Sequence, residues 1–115
     1  MAKAGFLVVT VASGTSLTAA LDLTLLGGAP VGIQMTAAWD AANLTYQVSA
    51  DNTLFQNYYD SAGTEITTTA AAARFIRLNP PDYAGIRYLK IRSGTSGTPV
   101  NQTADRALQL VYREL

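Results

Sequence analysis

Apolar and polar residues alternate with a period of two along most of this chain, and turn-forming residues interrupt the alternation every few residues. Leu17, Ala19, Leu21 and Leu23 alternate with Thr18, Ala20, Asp22 and Thr24. Val31, Ile33 and Met35 share one parity, as do Leu44, Tyr46 and Val48. Side chains on a strand point to opposite faces in turn, so this spacing predicts strands with one apolar face. Residues 6–11 form an unbroken, largely β-branched run, which predicts a strand buried on both sides. Further strands are expected at residues 53–59, 65–68, 74–78, 86–92 and 108–112.

The breaks carry their own chemistry. Gly27, Gly28 and Pro30 interrupt the chain after Leu25, and the pair Pro80-Pro81 ends the strand before it, because proline has no N–H to give to a ladder. Residues 50–52 and 60–63 are Asp-, Asn- and Gly-containing turns, and 93–99 is a glycine-rich loop with a mobile tip. The single helical candidate is 36–43, capped by Thr36 and ended by Asn43. The pattern therefore predicts an all-β fold: an antiparallel, jelly-roll-like β-sandwich of about eight short strands with at most one short helical turn. At 115 residues it reads as one domain.

What the chain lacks narrows its chemistry. It has no cysteine and no histidine, which removes Ser-His-Asp and Cys-His catalysis and the usual zinc ligands. An enzyme and a bound cofactor are not expected. Eight acidic and eight basic residues cancel, so the charge balance suggests neither nucleic acid nor an anionic membrane as a partner. No stretch is long and apolar enough to span a bilayer, and the first residues read as a strand rather than a signal peptide.

Several groups of side chains could in principle form a site. Most carboxylates fall in turns, where Asp bonds its own backbone, and no pair has the spacing of a glycosidase. Asp51, Asn52 and Asp60 offer oxygen ligands, but match no calcium loop and read better as turns. Arg74, Arg77, Arg87, Lys90 and Arg92 concentrate charge on two late strands, with Lys90 and Arg92 on one face. Pairing with carboxylates across the sheet explains them better than a phosphate site.

The surface is the more telling feature. Charged residues make up 14% of the chain, against about 25% in an ordinary soluble domain. Ala and Thr take their place, which suits close packing against other protein. Trp39 and the consecutive Tyr58 and Tyr59 have no evident core role, and one of the two tyrosines must face outward. The segment ending at Phe6 and the loop 93–100, which contains Pro99, read as flexible contact arms. Phe6, Trp39, Tyr58, Tyr59 and Pro99 are therefore the candidate protein-interface residues.

Two resemblances accompany this reading. Residues 44–52 with Phe55 and the later Ala73-Arg74-Phe75-Ile76-Arg77-Leu78 resemble discoidin-type, galactose-binding-like sandwiches. Val31-Gly32-Ile33-Gln34-Met35, Ala38-Trp39-Asp40-Ala41-Ala42 and residues 44–49, with Leu89-Lys90-Ile91-Arg92-Ser93-Gly94 and Pro99-Val100-Asn101-Gln102, resemble small structural proteins of tailed bacteriophages, nearest to capsid cement (decoration) proteins. The second resemblance covers nearly the whole chain and implies a virion protein on the outer surface of the capsid. Its partners would be the major capsid protein and further copies of itself. It carries no residue-level functional motif. The alternatives are another virion component (neck, tail or head fibre) and a carbohydrate-binding module.

Overall fold

The structure, a computed structural model, describes residues 4–26 and 28–114. Its strands are β1 (Ala4–Val11), β2 (Leu21–Asp22), β3 (Ala29–Gln34), β4 (Leu44–Ser49), β5 (Gln56–Asn57), β6 (Phe75–Arg77), β7 (Tyr88–Ser93) and β8 (Arg106–Arg113). They form two antiparallel four-stranded sheets, ordered β1-β8-β3-β6 and β2-β7-β4-β5. The first strand pairs with the last, the second with the seventh, the third with the sixth and the fourth with the fifth. That nesting is one long hairpin rolled over itself, the jelly-roll arrangement. Helical structure among the described residues is limited to 3-10 turns at Leu23–Leu26 and Pro80–Tyr83.

Alternation explains what lies between the sheets. Val9, Val11, Ile33, Leu108 and Leu110 come from the first sheet, and Leu44, Tyr46, Leu89 and Ile91 from the second. All are buried, and each fully buried side chain of this size contributes about 1.5–3 kcal/mol. The 3-10 turn at Leu23–Leu26 adds Leu23 and Leu26 to this core, and the one at Pro80–Tyr83 adds Tyr83.

Several expectations are corrected. The strand expected over 65–68 is reduced to isolated bridges at Glu65 and Thr68, and the one over 53–59 to Gln56–Asn57. The helix expected over 36–43 does not form. The backbone there is spent on distant partners instead: Ala73 N donates to Thr36 O at 3.1 Å, and Asp40 N donates to Gln102 Oε1 at 2.8 Å. Gln102 is fully buried and returns a bond from Nε2 to Asp40 O at 3.1 Å, which pins the segment in an irregular course. Residues 17–24 give only a two-residue strand and a 3-10 turn, because Asp22 caps Thr24 and draws the chain off the ladder.

The loop 93–100 is a closed hairpin rather than an open arm. Thr95 and Thr98 exchange backbone bonds at 3.2 Å, Val100 N donates to Ser93 O at 2.9 Å, and Gly94 supplies a left-handed φ of 90°. Finally, β1 is not buried on both sides. It is an edge strand with Phe6 58% and Val8 53% exposed. Met1 to Lys3, the start of the other expected arm, lie outside the described residues, as does Gly27 of the break before β3.

Candidate protein-interaction surface

The outer faces of the two sheets differ in kind. On the first sheet, the register places Phe6 opposite Val111, Val111 opposite Gly32, and Gly32 opposite Arg77. The next outward row runs Val8, Gln109, Gln34, Phe75. Phe75 is 58% exposed and its ring reaches inward over Gly32, where a β-carbon would collide with it. The missing side chain at Gly32 is therefore what lets the ring of an edge strand lie toward the middle of the sheet, beside the row that carries Val111 and Phe6. A shallow hollow lined by Val8, Gln34, Ala107 and Gln109 opens on the same face. The outward strand positions of this sheet hold only two charges, Arg77 and Arg113.

The second sheet turns polar groups outward: Asp22, Tyr88 and Ser49 in one row, Lys90, Gln47 and Asn57 in another. Lys90 Nζ sits 4.3 Å from the centre of the Phe55 ring and Arg87 4.9 Å from that of Tyr88, so aromatic rings here are covered by cations. Arg92 also points outward but is buried under the segment that carries Glu65. It meets Glu65 Oε2 at 3.4 Å and donates to Asn57 Oδ1 and Thr45 Oγ1. Lys90 and Arg92 do share a face, and Arg92 is spent on a carboxylate inside the molecule.

The candidate interface residues are scattered by this arrangement. Phe6 lies on the apolar face of the first sheet. Trp39 is only 5% exposed, packs in the core and donates from Nε1 to Ala42 O at 3.0 Å, so it is removed as a surface anchor. Tyr58 packs against the core and its hydroxyl donates to Asp82 O, while Tyr59 faces outward at 46% exposure. The two tyrosines point opposite ways, as strand geometry requires. Tyr59 Oη lies 3.4 Å from Ser96 Oγ, on the hairpin that carries the exposed Pro99, away from Phe6 in the sheet order. Val8 and Phe75 were missed. The continuous apolar run of residues 6–11 concealed the first, and the second sits in a strand too short to show its parity.

The carboxylates hold loops. Asp51 Oδ1 accepts from Thr53 N at 2.9 Å and Leu54 N at 3.0 Å, and Asp60 Oδ1 accepts from Ala62 N and Thr64 N. The Thr53 and Leu54 amides, with Ser49 Oγ, hold the Asp51 carboxyl below its ordinary range. Thr24 does the same for Asp22, with Arg87 adding to it, and Thr103 with Arg106 for Asp40. Among the described residues no three acidic side chains converge as metal ligands. Among them, too, no helix is long and apolar enough to cross a membrane.

No family model, no curated protein and no solved structure matches this chain.

Proposed function

We propose that this chain is a non-catalytic structural protein of a tailed-phage particle, a capsid cement protein that lies on the outside of the head and bridges major coat subunits. The observation that carries the reading is the bare outer face of the first sheet, where Phe6, Val8 and Phe75 are all more than half exposed beside very little charge. Large exposed apolar side chains gathered on one sheet face point to a protein contact, and burying them costs little desolvation of charge. On the outer face of the second sheet, by contrast, cations cover two aromatic rings and Arg92 is buried in an ion pair. The resemblance to cement proteins supplies the phage setting.

A cement protein has no reaction to run. It must hold its shape and engage a repeating lattice, where many modest contacts add up. Carboxylates committed to turns, and connecting segments tied down by Arg92 and Gln102, fit that task. Jelly rolls occur in capsid and lectin domains alike, so the argument for a protein partner rests on the face and not on the fold. The test is co-sedimentation with mature capsids that lack the protein. Saturation at a fixed copy number set by capsid symmetry is expected. A handful of copies per particle would move the reading to a neck, tail or fibre component.

A further inference from the structure

The sandwich has four sheet edges, and three are too short to accept a partner strand. β2 and β5 are two residues long, and β6 is three and carries Arg77. The fourth edge, β1, is eight residues long, Ala4–Val11, and pairs with β8 without a register shift over all eight positions. It has no charge, no proline and no bulge. Soluble proteins normally blunt a long edge with one of these devices, because its free N–H and C=O groups take up any extended strand.

We infer that β1 pairs antiparallel with β1 of a second copy, joining the first sheets of two molecules into one eight-stranded sheet. Three features favour a second copy as the occupant. The strand is uncharged and the chain as a whole carries eight acidic and eight basic residues, so two copies meet without net repulsion. The charged positions on β8, Arg106 and Arg113, stay at least three strand spacings, about 14 Å, from those of the other copy, beyond the screening length at physiological salt.

Third, the geometry is self-complementary. Residues that face each other must share a parity, so the twofold axis passes through a residue. With the axis at Leu7, Phe6 of each copy stands opposite Val8 of the other, and both lie on the apolar outer face. Pairing therefore doubles the apolar face rather than covering it. The inference stands whether or not the protein sits on a phage head.

The absence of cysteine makes the test clean. Sedimentation of the wild-type chain should give twice the 12.2 kDa mass. Leu7→Cys should form a disulfide-linked dimer on mild oxidation, since residues paired across an antiparallel ladder stand about 5 Å apart, within disulfide reach. Gln56→Cys and Phe75→Cys, on other edges, should not. Val8→Lys, at a position already half exposed, should keep the fold and weaken the dimer by about tenfold or more, because each lysine lands opposite Phe6 of the other copy and the two lysines stand diagonally across the axis, about 7–8 Å apart. A wild-type chain that stays monomeric up to about millimolar concentration, where even weak specific association would show, overturns the inference. So does a dimer cross-linked through Phe75→Cys and not Leu7→Cys. A monomer that saturates capsids would sink strand pairing alone, and a dimer that ignores capsids would sink the cement role alone.

Discussion

The ring of Phe75 rests over the backbone of Gly32, on a neighbouring strand, in space that any other side chain at position 32 would fill. This contact turns a residue on the last, three-residue strand of the sheet toward the middle of the outer face. Gly32→Ala is expected to push the ring off that position. Because Phe75 is largely exposed and free to swing, stability should change by no more than about 1 kcal/mol in urea unfolding. Binding to capsids should weaken by about tenfold, reflecting the lost shape of the patch. Full binding by a folded Gly32→Ala chain would show that the position of Phe75 does not matter.

Arg92 and Glu65 form the most enclosed ion pair among the described residues, with side chains 6% and 15% exposed. Glu65 also accepts from Ser96 N at 3.2 Å, so it ties the 93–100 hairpin to the sheet. Removing one partner leaves a buried charge alone, and Glu65→Ala is expected to cost about 3–5 kcal/mol. A double replacement, Arg92→Met with Glu65→Met, should cost less than the two single changes summed. Additive effects in that cycle would mean that the pair is not coupled.

Alkaline sensitivity should come from the buried tyrosines. Tyr46 and Tyr83 meet edge-on with centroids 5.6 Å apart, Tyr83 Oη donates to Tyr46 Oη at 3.1 Å, and Tyr46 Oη lies 2.5 Å from Thr68 Oγ1. Burial raises both phenols above their ordinary value of 10.0, Tyr46 the further. Below pH 10 both folded and unfolded chains keep these protons and the stabilisation is complete. Above it the unfolded chain ionises first, so stability falls as pH rises. Tyrosinate absorbance should therefore appear together with unfolding; titration of every tyrosine in a still-folded chain would contradict this.

Acid acts in the opposite sense. Asp51 is held low first by the Thr53 amide, Asp40 by the Thr103 amide and Asp22 by the Thr24 hydroxyl, with Arg106 and Arg87 assisting the last two. Their stabilisation is present above the ordinary value of 3.8 and is lost as pH falls through it and below. The denaturant midpoint should decline from about pH 4 downward. Asp51→Asn, which keeps shape but not charge, should lower the midpoint at neutral pH and flatten that decline.

Much of the fold was legible because alternation is a local signal. Residues 44–49, with Leu44 and Tyr46 buried and Val48 packed against the core, became β4 without change, and the opposite facing of Tyr58 and Tyr59 followed from strand geometry alone. The failures share a cause: the deciding partner was far away in the chain. Gln102 and Ala73 set the course of 36–43, and Trp39 packs in the core along that irregular course. Residues 6–11 were misjudged because an unbroken apolar run looks the same in a doubly buried strand and in an edge strand with an apolar outer face. The patch itself could not be read, since Phe6 and Phe75 come to one face only through a sheet order in which β1 and β6 are 64 residues apart, from Val11 to Phe75 by subtraction.

The most direct test of the central claim compares wild type with Phe6→Ser/Phe75→Ser in co-sedimentation with capsids lacking the protein. Both replaced side chains are 58% exposed, so the double variant should fold. The account predicts that wild type saturates the shell at a fixed copy number while the folded variant stays in the supernatant. Equal saturation by both would contradict it, because the apolar face of the first sheet would then not be the surface that binds.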